Sequence, residues 1–122
     1  MAKTIMIVDD STSMRQVLGV ALRSAGYLVI EGCDGRDALA KLTGQKVNLI
    51  ISDVNMPVMD GISFLKAVKQ LPAYKFTPVI MLTTVSEEGK MAEGRAAGAR
   101  AWVAKPFQPD KLIDAVQRLC LP

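Results

Sequence analysis

Residues 3–26, KTIMIVDDSTSMRQVLGVALRSAG, change character twice, and those changes decide the fold. Lys3 to Val8 is a short apolar run with β-branched residues, the pattern of a strand buried on both faces. It stops abruptly at Asp9-Asp10. Ser11, Thr12 and Ser13 then offer helix N-caps. Met14, Val17, Leu18, Ala21, Leu22 and Ala25 recur at helical spacing up to Gly26, which suits a C-cap. The segment reads as strand, acidic turn, helix.

The same alternation continues to the end of the chain. Tyr27 to Ile30 reads as a second strand and Asp34-Gly35 as a turn. Ala38, Leu39 and Leu42 mark a short helix stopped near Gly44. Val47 to Ser52 is a third strand, again ending at an aspartate, Asp53. Asp60-Gly61 is a turn before a helix marked by Ile62, Leu65 and Val68, which closes before Pro72. Pro78 to Leu82 is a fourth strand ending at Thr83-Thr84. Ser86 as a cap, with Glu87 and Glu88 suited to the helix dipole, starts a fourth helix that Gly89, Gly94 and Gly98 weaken. Ala101 to Ala104 is a fifth strand ending at Lys105-Pro106. Pro109 opens the last helix, whose buried stripe is Leu112, Ile113, Val116, Leu119 and Cys120. Met56, Met59 and Met91 read as gap-fillers. Five strands alternating with five helices predict an α/β fold with right-handed crossovers and a parallel sheet covered on both faces.

Composition narrows the function. The 122 residues suit one domain, half of them apolar and 22% charged, so a real core is expected and general disorder is not. No apolar run reaches the roughly 20 residues of a membrane span, and the N-terminus does not read as a secretory signal. Net charge is +3, but the basic residues are scattered and aromatics are only 5%, which argues against a nucleic-acid surface. Cys33 and Cys120 lack metal-site spacing and read as reduced core or boundary residues in a cytoplasmic protein. There is no histidine, so the commonest general base and metal ligand is missing.

The strand ends carry the chemistry. A parallel sheet brings the carboxyl ends of its strands to one edge, where such folds bind ligands. Asp9, Asp10, Asp53, Thr83 and Lys105 should therefore meet there. Two unit charges about 4 Å apart repel by about 1 kcal/mol in water and about 4 kcal/mol at an effective dielectric near 20. Three carboxylates need more counter-charge than Lys105 supplies. A hard divalent cation fits, and a shallow, wet, oxygen-only site favours Mg²⁺. A carboxylate beside Mg²⁺ can attack phosphorus. Asp53 opens the loop Val54-Asn55-Met56-Pro57, which leaves room for an incoming group. It is the candidate nucleophile, with Asp9 and Asp10 serving the metal.

Four segments, VDDSTSMR at 8–15, ISDVNMPVMDG at 51–61, VIMLTT at 79–84 and WVAKPF at 102–107, make the whole chain resemble the receiver domains of two-component response regulators, most closely the stand-alone chemotaxis type. The resemblance implies a doubly wound (βα)5, flavodoxin-like fold with strand order 2-1-3-4-5. It implies Asp53 as phosphoryl acceptor, Asp10 as a direct Mg²⁺ ligand, Asp9 acting mainly through water, and the backbone carbonyl of Asn55 as a further ligand. Thr83 and Lys105 would contact phosphoryl oxygens, and the Lys105-Pro106 peptide would be cis. A histidine kinase on another protein would donate the phosphoryl group. Output would pass by protein contact through the face of helix four, strand five and helix five, from a monomeric receiver without an output domain, and not by enzymatic turnover. Two positions depart from the family's habit. Trp102 replaces the Tyr or Phe rotamer switch, so its inward swing toward Thr83 is in question. Val85 is apolar and cannot orient an attacking water.

Three rival readings can be separated by experiment. A flavin-binding electron carrier could cradle a phosphate at Ser11-Thr12-Ser13, but Asp9 and Asp10 would repel it, and the protein would be yellow. An aspartyl phosphatase would carry acids two apart, whereas Asp9 and Asp10 are adjacent. A phosphate sink shares the chemistry but lacks a target, so it would lose the phosphoryl group quickly and bind no target in the phosphorylated form.

Overall fold

The computed structural model describes residues 2–84 and 89–120. The apolar runs become strands β1 (Thr4–Val8), β2 (Leu28–Gly32), β3 (Leu49–Asp53), β4 (Val79–Thr83) and β5 (Ala101–Ala104). Between and after them lie α1 (Thr12–Ser24), α2 (Gly35–Lys41), α3 (Gly61–Lys69), α4 (Met91–Ala97) and α5 (Pro109–Leu119). Every strand pairing is parallel, and the order is β2-β1-β3-β4-β5, as the resemblance implies. β3 and β4 are buried at every residue, consistent with apolar runs that do not alternate.

Alternate strand residues feed two apolar layers. Ile5, Ile7, Leu49, Ile51, Ile80 and Leu82 pack under α1 and α5, through Leu18, Leu22, Leu112 and Val116. Met6, Val8, Ile50, Val79 and Met81 pack under α2 and α3, with Trp102 closing the layer beside α4. Among the described residues no helix is long and apolar enough to cross a membrane.

Local signals set the helix starts. The side chains of Ser11, Asp34 and Asp60 accept hydrogen bonds from the backbone N–H groups of Met14, Asp37 and Ser63 at 3.2, 2.8 and 2.8 Å. α4 lacks a side-chain cap bond and ends at Gly98, whose φ of 110° is the left-handed conformation of a helix C-cap. The sequence-predicted start of this helix, at Ser86, Glu87 and Glu88, lies outside the described residues, as does Val85.

Several expectations need correction. Val17 is 51% exposed and Ala25 is exposed, because α1 buries a narrower stripe than the periodicity indicates. Cys33 is exposed and not a core or boundary residue; Cys120 is buried, and neither forms a disulfide. β2 runs on to Gly32, where it pairs with Val8, and β3 includes Asp53.

Candidate functional site

In the sheet register Val8 lies between Gly32 and Ser52, Asp53 faces Leu82, and Thr83 faces Ala104. Asp9, Asp53, Thr83 and Lys105 therefore leave the same edge together. One carboxylate oxygen from each of Asp9, Asp10 and Asp53 lies within 4.8 Å of the other two. Asp9 is almost wholly buried and Asp10 exposed, while the Asp53 side chain keeps 8% of its surface, so its carboxylate is recessed but reachable.

Lys105 Nζ spans the buried pair, 3.3 Å from Asp9 Oδ2 and 3.1 Å from Asp53 Oδ1. Burial works to lower the pKa of this ammonium, but the adjacent Asp9 and Asp53 carboxylates outweigh it and hold the pKa above the usual lysine value. Asp53 Oδ1 also accepts the Val54 N–H at 2.9 Å, and Asp9 Oδ1 accepts the Ser11 N–H at 2.9 Å. One ammonium among three carboxylates leaves a net negative, oxygen-lined cluster, a donor set that suits a hard divalent cation.

The remaining expected residues lie around this cluster. Thr83 is buried, and its hydroxyl donates to the Thr84 carbonyl at 3.1 Å. Asn55 is exposed two residues beyond Asp53. Lys105-Pro106 is cis. Trp102 pairs in register with Met81 and packs against α4, where a Cβ on Gly94 would stand 2.1 Å from its Cζ2. The indole N–H is buried without a hydrogen-bond partner among the described residues.

Sequence reasoning missed the groups that hold the loop after Asp53. Gly61, read only as part of a turn, comes so close to β3 that a Cβ there would be 2.0 Å from the Asp53 carbonyl oxygen. Its N–H donates to the Val54 carbonyl at 2.8 Å. The Ser52 hydroxyl donates to that same Asp53 carbonyl at 2.9 Å. Between them, Val58 takes a φ of 68° in a tight turn closed by the Met59 N–H on the Pro57 carbonyl at 2.7 Å. This is strained backbone for a β-branched residue. The Asp60 cap signal was available in the sequence, but nothing local signals the contact of Gly61 with residue 53.

A parallel α/β sheet with an acidic cluster and a lysine at one strand edge defines a class of receiver proteins. The response regulator receiver domain model matches residues 5–117, and the chain belongs to that family. It is 34% identical over 119 residues to the chemotaxis protein CheY of Bacillus subtilis, covering 97% of this chain and 98% of that one. Its backbone superposes on chemotaxis protein CheY4 of Vibrio cholerae with a TM-score of 0.92 at 48% identity, covering 98% and 99% of the two chains. A third likeness is to the receiver domain of a Pseudomonas aeruginosa sensor histidine kinase, solved with a magnesium ion coordinated in its active-site cleft. There the TM-score is 0.90 at 29% identity, with 98% of each chain covered.

Proposed function

We propose that this receiver takes a phosphoryl group from a histidine kinase onto Asp53, in the cytoplasm and within a chemotaxis-type pathway. The observation that carries the reading is the gathering of Asp9, Asp10 and Asp53 oxygens within 4.8 Å of one another beside Lys105. Asp9, Asp10, Asp53 and the Asn55 carbonyl would hold Mg²⁺, as the magnesium-bearing receiver of Pseudomonas aeruginosa makes reasonable. When bound, Mg²⁺ supplies charge neutralisation for the transferring phosphoryl oxygens.

The chain's own residues do the rest. An Asp53 carboxylate oxygen attacks phosphorus, and the donor's histidine nitrogen leaves. Lys105 stays charged across the neutral range and offers its ammonium to the phosphoryl oxygens. The product carries about −1.5 to −2 charges at one spot. Thr83 can exchange its weak local bond to the Thr84 carbonyl for a phosphoryl oxygen. β5 lies beside Thr83 and carries Trp102 against Gly94 of α4, so that movement would reach this face. Moving the balance of two such states from 1:99 to 99:1 takes roughly 5.5 kcal/mol of differential stabilisation.

Output would run through α4, β5 and α5 to a protein target. An apolar hollow of about 480 Å³ between β5 and α5, lined by Ala101, Ala115 and Leu119 and rimmed by Lys111, Asp114 and Arg118, gives that face a place for a side chain. The role is stoichiometric acceptance followed by slow self-dephosphorylation, not turnover of a free substrate.

Intact-mass spectrometry after treatment with acetyl phosphate and Mg²⁺ tests the reading. One phosphoryl group should be added to the native chain and none to Asp53→Asn. Labelling that persists in the variant, or that survives a chelator, would remove Asp53 or the metal from its role.

A further inference from the structure

Asp10 is exposed and, among the described residues, makes no ion pair. The peptide that joins it to Asp9 fixes where its side chain begins. That peptide is held from one side by Arg15, whose Nη1 donates to the Asp9 carbonyl at 2.6 Å. The Arg15 side chain is only 16% exposed, and its other nitrogens are also engaged. Nε meets Glu31 Oε1 at 3.2 Å, and Nη2 donates to Thr12 Oγ1 at 3.3 Å.

Glu31 is itself fixed. Its Oε2 lies 3.6 Å from Arg23 Nη2, and its carbonyl accepts from Lys41 Nζ at 2.6 Å. Arg23 reaches it by lying across Gly19, where a Cβ would stand 2.8 Å from Nη1. The contact is with the far end of a long, half-exposed side chain, which can shift. The Asp9 N–H, meanwhile, donates to the Gly32 carbonyl at 3.1 Å.

We infer that Arg15, oriented by Glu31, is a positioning residue that sets the Asp9-Asp10 peptide and so the cation affinity of the acidic cluster. The inference rests on the metal reading of that cluster. Charge and geometry make opposite demands here. A positive group close to a cation site repels the incoming ion, so if Arg15 acted as a charge alone, its removal would tighten binding. If it orients the ligand-bearing peptide, its removal must loosen binding. Loss of outer-shell partners of metal ligands typically weakens affinity by about 10- to 100-fold.

Isothermal titration with Mg²⁺ alone tests this on the full chain, with thermal unfolding checking each variant. Arg15→Ala should bind Mg²⁺ about tenfold more weakly. Arg15→Lys, which keeps the charge but loses the fork between carbonyl and carboxylate, should recover only part of that loss. It also serves as the test if the alanine variant fails to fold. With acetyl phosphate, both variants should need more Mg²⁺ for half-maximal labelling and reach the native extent at saturation, a split that general damage to the fold would not produce. Affinity equal to or tighter than native in Arg15→Ala, or full recovery in Arg15→Lys, overturns the inference and leaves the metal site standing. Absence of Mg²⁺ binding by the native chain overturns the metal reading and this inference together.

Discussion

Replacing Gly61 with alanine should damage this protein more than a single added methyl group suggests. The new Cβ would stand 2.0 Å from the Asp53 carbonyl oxygen, 2.9 Å from its carbon and 2.9 Å from Met81 Cε. Real Cβ contacts essentially never fall below 3.0 Å, so β3 and α3 must part by about 1 Å. Neither side gives easily. The Asp53 carbonyl accepts from the Ser52 hydroxyl at 2.9 Å, and the Gly61 N–H is tied to the Val54 carbonyl at 2.8 Å. Overpacking of this kind costs about 1–3 kcal/mol, and a weakened buried hydrogen bond adds about 1 kcal/mol. Alanine's better helix propensity returns less than about 1 kcal/mol. The net loss is about 1–3 kcal/mol. At about 2.1 cal/mol/K per residue, a chain of this length has an unfolding entropy near 0.26 kcal/mol/K, so the melting temperature should fall by about 4–12 °C. Thermal unfolding followed by circular dichroism reads this directly. Gly89→Ala is the control, since among the described residues nothing lies within 4 Å of a Cβ at that position. A Gly61→Ala melting temperature within about 2 °C of native, or a Gly89→Ala loss of equal size, would refute the steric argument.

Lys105→Met leaves Asp9 and Asp53, with side chains 1% and 8% exposed, without their ammonium. Allowing for the partial exposure of the lysine, we expect a loss of about 2 kcal/mol in chelator and a smaller one in millimolar Mg²⁺. Because the lysine pKa is raised, this contribution is complete below the usual value of 10.5 and is lost only as pH climbs through the higher folded-state value. The deficit in urea unfolding should therefore be flat across neutral pH, and no deficit in chelator would count against the pairing. Gly94→Ala would place a Cβ 2.1 Å from Trp102 Cζ2 and 2.7 Å from Cη2. Since Trp102 is the chain's single tryptophan, its emission should shift to the red and become more open to acrylamide quenching; an unchanged spectrum would contradict the packing. Asp37 is held below its ordinary pKa of 3.8, chiefly by the Cys33 N–H, with burial opposing and Lys41 assisting. A depressed carboxylate stabilises above its unfolded pKa, so Asp37→Ala should be less stable than native at neutral pH. The two urea midpoints should converge as pH falls below that ordinary value, and a gap that persists in acid would contradict the assignment.

What could be read in the sequence, and what could not, divides along a physical line. Asp9, Asp53, Thr83 and Lys105 are legible because each follows an apolar run, and a parallel sheet turns sequence position after a strand into position on one edge. The chemistry of the edge demands particular side chains, so identity and placement reinforce each other. The frame around it demands shapes instead. Gly61 and Gly94 look in sequence like a turn and a weak helix. Each is explained only by what lies opposite: a carbonyl at residue 53 and an indole at residue 102. Local propensity scores a glycine by the freedom it brings to its own backbone, and so it cannot register a neighbour that only the fold supplies. Arg15 fails to announce itself for a related reason, since its partner at the acidic turn is a backbone carbonyl, which every residue has, and its carboxylate partner, Glu31, lies sixteen residues away on β2. Val17 errs the other way. Its spacing fits the buried stripe of α1, but the width of the groove between α1 and α5 decides which valines are covered, and periodicity carries phase without width. The groups proposed to react were thus visible one by one in the sequence. The groups that position them are visible only as pairs, and the Arg15 variants ask whether that positioning matters as much as the chemistry.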